Sequence, residues 1–237
     1  MHFEDQLKQA TLIKRYKRFL ADIRLPDGEI VTIHCPNTGS MKNCQDPGSK
    51  VWYTTSQNAK RKYPNTWQFV EVDSRYKVGI NTGLANKLVL EAIETGVIKQ
   101  LQEYSAIRTE VPYGIQNSRI DILLEAHQGT RSFVEVKNVS LGVEGGLGLF
   151  PDATTTRGQK HLRELMEVSE SGERAVLVFC IQHEGIERVG PADCIDPEYG
   201  RLLRQAINNG VEVIAYGAEF SIDASGIRLC KELQVTL

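Results

Sequence analysis

The sequence predicts a two-part fold of mixed α/β (α+β) class: an OB-fold-like β-barrel over residues 1–80, followed by an α/β domain over residues 81–237. Three observations predict it. Short alternating apolar runs separated by turn residues fill the first third of the chain. Near residue 81 the pattern changes to helices interleaved with strands. The charge divides at the same place: residues 1–80 carry 13 Lys and Arg against 8 Asp and Glu, and residues 81–237 carry 15 against 22. The net formal charge of −2 is therefore the sum of a basic part and an acidic part.

In the first part, Leu20–Leu25 alternates and runs into Pro26-Asp27-Gly28, a turn signal, and Ile30–Ile33 completes a hairpin. Val51–Tyr53, Thr66–Val72 and Tyr76–Ile80 bring the strands to about five, the number in an OB-fold. In the second part, Leu84–Ile98 has helical periodicity with Asn81 or Thr82 as its N-cap. Strands are expected near 108–116, 119–126 and 131–139, a helix over 155–170, a buried strand over 175–182, a helix over Pro197–Asn208 ending at Gly210, and a strand over 211–216. Gly142 to Gly148 reads as a flexible glycine-rich loop over the site.

Composition excludes several classes. At 41% hydrophobic and 24% charged, the chain is neither collagen-like nor disordered. Five cysteines without a CxxC pair suggest neither a disulfide framework nor a zinc cage, and Cys180 lies in an apolar run as a small buried hydrophobe. No apolar stretch is long enough for a membrane helix and no signal-peptide pattern opens the sequence, so a cytoplasmic protein is expected. The residues leave the oligomeric state open, a homodimer included.

The segment Arg119–Asn138 is the most informative. It reads as two strands joined by a turn at Gly129. Glu135 and Lys137 are two apart and share a strand face. With a loop of Ala126–Thr130, Glu125 pairs with Arg131 and Asp121 falls opposite Glu135; an even-numbered loop would set the two carboxylates on opposite faces. Two adjacent carboxylates repel unless a cation lies between them. Mg²⁺ or Mn²⁺ accepts such oxygen ligands, and a lysine beside it can orient water or face a phosphate, which together suit phosphodiester hydrolysis. The same residues also fit a solvated cross-strand ion pair. Glu91, on the preceding helix, and Glu110 are further acids that either join this group or remain surface charges.

Two basic runs carry aromatics: Lys14, Arg15, Lys17 and Arg18 with Tyr16 and Phe19, and Lys60, Arg61 and Lys62 with Tyr63. Cations neutralise phosphates and aromatics stack on bases, although a basic strand with Phe19 in the barrel core fits too. Arg157, Lys160 and His161 lie three and four apart on one helix face, read here as phosphate-contacting. Pro36-Asn-Thr-Gly-Ser40 is turn chemistry with no assigned role.

Long blocks then carry a resemblance. Phe150–Leu165, Arg119-Ile-Asp121, Glu135-Val-Lys-Asn138, Arg15–Asp22 and Pro36–Lys42 resemble the sugar fermentation stimulation protein A family of bacteria, over about residues 12–216. The resemblance implies an N-terminal OB-fold joined to a PD-(D/E)xK nuclease-like domain, non-specific DNA binding and a regulatory role in maltose metabolism. It sets Asp121, Glu135 and Lys137 on the superfamily's Asp and Glu-x-Lys signature, and Glu91 where many members carry a helix glutamate. The reading is thus a DNA-binding protein, with a Mg²⁺- or Mn²⁺-dependent nuclease as the alternative, in which Asp121, Glu135 and Glu91 bind metal and Lys137 assists the attacking water.

Overall fold

A computed structural model describes residues 1–114 and 118–237 of the chain. In the N-terminal part, strands β1 (Lys8–Tyr16), β2 (Leu20–Arg24), β3 (Ile30–His34), β4 (Lys50–Thr55), β5 (Asn65–Val72) and β6 (Tyr76–Gly79) form one sheet in the order β3-β2-β1-β4-β5-β6. A single pairing, His34 with Thr66, joins β3 to β5 and closes the first five strands into a barrel. The count of five holds, but the membership differs from the sequence reading. The first basic run spans the C-terminal end of β1 and the turn after it, and β6 hangs outside the ring. Alternation explains the closure: Ala10, Leu12, Ala21, Ile23, Ile33, Val51, Trp67 and Val70 all point into one core. Bulges in β1 near Leu12 and in β5 at Gln68, opposite Trp52 and Tyr53, bend the strands enough to close. Gly28 supplies the positive φ of +91° at the expected Pro-Asp-Gly turn. Phe19 is not in this core; it is 49% exposed.

The C-terminal part begins with a 3-10 turn at Thr82–Leu84, whose cap is Asn81, and continues as α1 (Ala85–Glu94), shorter than the periodicity predicts. A nine-stranded mixed sheet follows. Its antiparallel arm is β7 (Ala106–Tyr113), β8 (Ser118–Glu125) and β9 (Arg131–Val139); the predicted strand over 108–116 therefore runs into residues outside those described. At its centre β12 (Arg174–Ile181) lies parallel to β9 and to β14 (Glu212–Ser221). It is buried along nearly its whole length, which is why it reads as an unbroken apolar run. Beyond β14 come β15 (Gly226–Val235), β13 (Arg188–Pro191), β11 (Leu147–Phe150) and β10 (Leu141–Val143), none of which the sequence pattern predicts. The glycine-rich segment is no loop over the site. It is the β10–β11 hairpin, with Gly145 and Gly146 turning at positive φ.

Helices α2 (Thr156–Glu170) and α3 (Pro197–Asn208) cover one face of the sheet, capped by the side chains of Thr155 and Asp196. Leu162, Leu165, Tyr199 and Leu203 pack there on Phe133, Leu177 and Phe179. On the opposite face α1 and the barrel share one core, in which Trp52 and Phe69 meet Leu88, Ile93, Val134 and Val178. The first seven residues pack against the C-terminal part: the Phe3 amide donates to Ser225 O at 2.8 Å, the Leu7 amide to Ser225 Oγ at 2.9 Å, and Phe69 stacks edge-on against both Phe3 and Phe220. All five cysteines are free thiols, Cys180 fully buried. Among the described residues no helix is long and apolar enough to cross a membrane.

Candidate functional site

The five-residue loop Ala126–Thr130 joins β8 to β9, and Glu125 pairs with Arg131, as its odd length requires. The register continues through Ile122 opposite Val134. One residue further, Asp121 Oδ2 accepts the Val136 amide at 2.7 Å, and Asp121 Oδ1 accepts Asn86 Nδ2 of α1 at 2.8 Å. Asp121 and Glu135 therefore lie side by side at the end of the antiparallel ladder.

Glu135 is only 1% exposed. Its Oε1 accepts a bond from Lys137 Nζ at 2.5 Å and is in direct contact with His161 Nδ1 from α2. Lys137 Nζ is also 3.3 Å from that His161 nitrogen. The other oxygen, Oε2, is buried and has no hydrogen-bond partner among the described residues. Burial opposes ionisation of Glu135, but the His161 bond and the Lys137 charge outweigh it and hold the carboxyl below its ordinary range. Asp121 goes the other way. Burial and the Glu135 charge raise it, more than the Val136 and Asn86 bonds lower it.

A cleft of about 370 Å³ opens over this cluster. Its floor is Asp121, Glu135 and Lys137; Arg157 and His161 line one side, and Leu141, Leu149 and Phe150 another. Asn37, Thr38 and Gly39 of the barrel line it too. The loop carrying them is tied down from both parts of the chain. Arg15 donates to the carbonyls of Asn37 and Gly39 at 2.9 and 3.0 Å. Ser40 Oγ donates to Asp152 Oδ2 at 3.0 Å, and the Met41 amide to the same oxygen at 3.1 Å. Gly39 lies so close that a Cβ there would stand 2.7 Å from Asp152 Oδ2 and would push that side chain aside.

The structure sorts the sequence candidates. Asp121, Glu135 and Lys137 come together. His161, read as part of a phosphate-contacting face near the acidic residues, joins them: it is 5% exposed and in contact with Glu135. Arg157 lines the cleft with Nε 3.4 Å from His161 Nε2, and Lys160 is half-buried on the same helix. Glu91 is not brought in. Its carboxylate pairs with the Met1 ammonium at 2.6 Å in a separate hollow beside Arg228. Glu110 is exposed in β7 with φ +54°, its carbonyl accepting a bond from Arg119.

Of the barrel cations, Arg15 is spent on loop carbonyls, and exposed Lys14 lies 3.6 Å from Asp22. Lys17 and Arg18 form the exposed β1–β2 turn, and Lys60, Arg61 and Lys62 sit on the exposed β4–β5 loop, with Arg61 bonded to Thr66. Register places these two loops together. Leu20 pairs with His34 and His34 with Thr66, so both lie at the barrel end from which the chain enters Asn37–Gly39. Asn86 was missed because an isolated polar residue carries no periodic or spacing signal, while Asn37 and Asp152 lie in blocks that carried the resemblance but no assigned role.

Among the described residues no group of three or more His, Cys, Asp or Glu is placed to hold a metal ion. The two carboxylates suit a cation that takes one or two protein oxygens and fills its other positions from solvent and substrate.

Two family models match. That of the SfsA N-terminal OB domain covers residues 13–80, and that of the sugar fermentation stimulation protein RE domain covers residues 83–224. The chain belongs to the sugar fermentation stimulation protein family. Family members are similar along the full length: the homolog of Shewanella loihica is 54% identical over 100% of both chains, and that of Shewanella frigidimarina 55% identical over 95% of this chain and 96% of its own. The structure of Pyrococcus furiosus SfsA in complex with Ca²⁺ superposes with a TM-score of 0.87 at 28% identity, covering 100% of this chain and 98% of that one. The fold and its OB-type barrel are thus those of the family.

Proposed function

We propose that this protein binds DNA without sequence readout through the basic end of its barrel and hydrolyses phosphodiester bonds in the adjoining cleft with a divalent cation. One observation carries the reading: Glu135 is buried with its Oε1 held by Lys137 and His161 and its Oε2 unpartnered, beside an Asp121 whose ionisation the neighbouring charge opposes. A buried, unpartnered carboxylate oxygen is costly, and a cation shared with Asp121 removes that cost. The donor set is all oxygen, which suits Mg²⁺ or Mn²⁺. The Ca²⁺ in the P. furiosus relative is consistent with such a cation here. When bound, the cation would polarise a phosphate oxygen and supply an activated water.

The side chains account for the rest. The Val136 amide and Asn86 fix the Asp121 carboxylate. Lys137, between Glu135 and His161, presents an ammonium to charge developing on a phosphate. Arg157, at the cleft wall, is placed to hold a non-bridging oxygen. Lys17, Arg18, Lys60 and Lys62 bring the backbone to this point by charge alone.

The test is cleavage of several DNA forms with Mg²⁺ or Mn²⁺, comparing the wild type with Glu135→Ala. The reading expects cation-dependent cleavage that the variant loses by about 10²-fold or more. Intact substrate with either metal would sink the hydrolytic part. The binding part expects affinity to fall with salt. Reversing Lys17, Arg18, Lys60 and Lys62 to Glu should flatten the log–log salt slope by about 0.7–0.9 per lost phosphate contact. A wild-type slope near zero would sink that part.

A further inference from the structure

We infer that the cleft selects single-stranded nucleic acid, threading one strand between the two parts of the chain. The inference rests on the hydrolytic reading of the same site and adds its substrate class. Three observations carry it.

The first is depth. Glu135 is 1% exposed and His161 5%, so a phosphate must descend into the cleft to reach the carboxylates. In a regular duplex each phosphate is held at the surface of a stiff rod between its neighbours. A single strand can rotate one phosphate inward.

The second is that the barrel side of the cleft is built shut. The loop from Pro36 to Cys44 is bonded to the C-terminal part at three separated places: Thr82 Oγ1 to Pro36 O at 3.2 Å, Ser40 and Met41 to Asp152, and Asn43 Nδ2 to Gly142 O at 3.1 Å. Arg15 braces the same loop from below. A wall fixed at that many points is not a lid that swings aside for a duplex. The volume between it and the floor, about 370 Å³, is at the small end of sites that enclose one compact ligand of about 300–1,000 Å³.

The third is the chemistry of the walls. Arg157 on the wall and Lys137 on the floor offer charge, while Leu141, Leu149 and Phe150 add apolar surface to the lining. A paired base has its faces covered by its neighbours in the stack; an unpaired base needs such a surface. Outside the cleft, Phe19 stands 49% exposed beside Lys17 and Arg18, the aromatic-with-cation pairing that suits unstacked bases.

The experiment measures binding by fluorescence anisotropy in Ca²⁺, with the full chain and three labelled probes of equal length: oligodeoxythymidylate, oligouridylate and a blunt DNA duplex. The expected result is that at least one single strand binds tenfold or more tighter than the duplex at the same salt, the two single-stranded arms deciding between DNA and RNA. Thr38→Trp places bulk into the cleft from an exposed position that leaves folding intact. It should weaken single-strand binding at least fivefold and duplex binding by much less. Asp152→Ala unfastens the wall and should narrow the ratio. Equal or tighter binding of the duplex by the wild type overturns the inference, as does a Thr38→Trp variant that binds both forms as the wild type does. Cation-dependent cutting within the duplex as fast as within the single strand overturns it while leaving hydrolysis standing. Absence of all cutting removes the hydrolytic reading, and the binding ratio still decides strand selectivity.

Discussion

Ser40 and Asp152, 112 positions apart, are joined by two hydrogen bonds from the Ser40 hydroxyl, one to the Asp152 carbonyl at 2.9 Å and one to its Oδ2 at 3.0 Å. The same carboxylate oxygen takes the Met41 amide. Bonds to an ionised acceptor are stronger than neutral ones, so Asp152→Ala should cost about 1.5–3 kcal/mol in denaturant unfolding. Ser40→Ala should cost less. A double-mutant cycle should give a coupling of about 1 kcal/mol, and strict additivity would show that the two side chains do not sense each other.

Divalent cations should raise the melting temperature of the wild type and not of Glu135→Gln. The pH dependence has a definite sign. Asp121 is raised in the folded chain by burial and by Glu135, so without cation its contribution favours the native state below its ordinary value near 3.8 and is lost as pH rises through its higher folded value. A cation holds Asp121 ionised and competes with the proton. Apparent cation affinity, measured by calorimetry, should therefore fall as pH is lowered through that raised value.

Glu164 lies on α2, 0% exposed, with neither carboxylate oxygen hydrogen-bonded among the described residues, against the backbone of Gly114. Replacing a buried acid that has no partner among the described residues by an apolar side chain of similar length removes a desolvation cost. Glu164→Met should stabilise the protein by about 1–3 kcal/mol in urea unfolding. Destabilisation would show that the carboxylate has a role the native fold depends on.

His183 is buried against Tyr76, its Nδ1 accepting the Gly185 amide at 3.0 Å. Burial pushes its pKa from 6.5 down to about 4, with Asp73 opposing weakly. A depressed histidine contributes stability above its unfolded value and loses it as pH falls from about 6.5 toward 4. The loss should be on the order of 3 kcal/mol. His183→Asn should flatten unfolding free energy across that window; an unchanged slope would assign the loss to other groups.

The legibility of this sequence followed the periodicity of its elements. β12 was plain because a strand buried on both faces is an apolar run, whereas Asp121 beside Glu135 followed only on the condition of a loop of Ala126–Thr130, the length the structure has. β15 was not, since its Lys231 and Glu232 fall where one face is open to solvent and a bulge breaks the pairing near Gly217. β10 and β11 are too short and glycine-rich to alternate. The helical spacing of His161 with Arg157 was right, but spacing alone does not say which stripe of α2 faces Glu135. Glu91 pairs with the Met1 ammonium, a partner 90 positions away that no local pattern announces.

The closeness of Leu7 and Ser225 has a consequence for synthesis. A chain emerging at about 5–20 residues per second completes its first strand some ten to forty seconds before its last one exists. Through that interval Trp52 and Phe69, whose neighbours include Phe220 and Ile227, have no cover on that side of the barrel. The nascent barrel thus carries an uncovered apolar surface until the C-terminal strands arrive. Residues 1–80 made alone should aggregate where the whole chain does not.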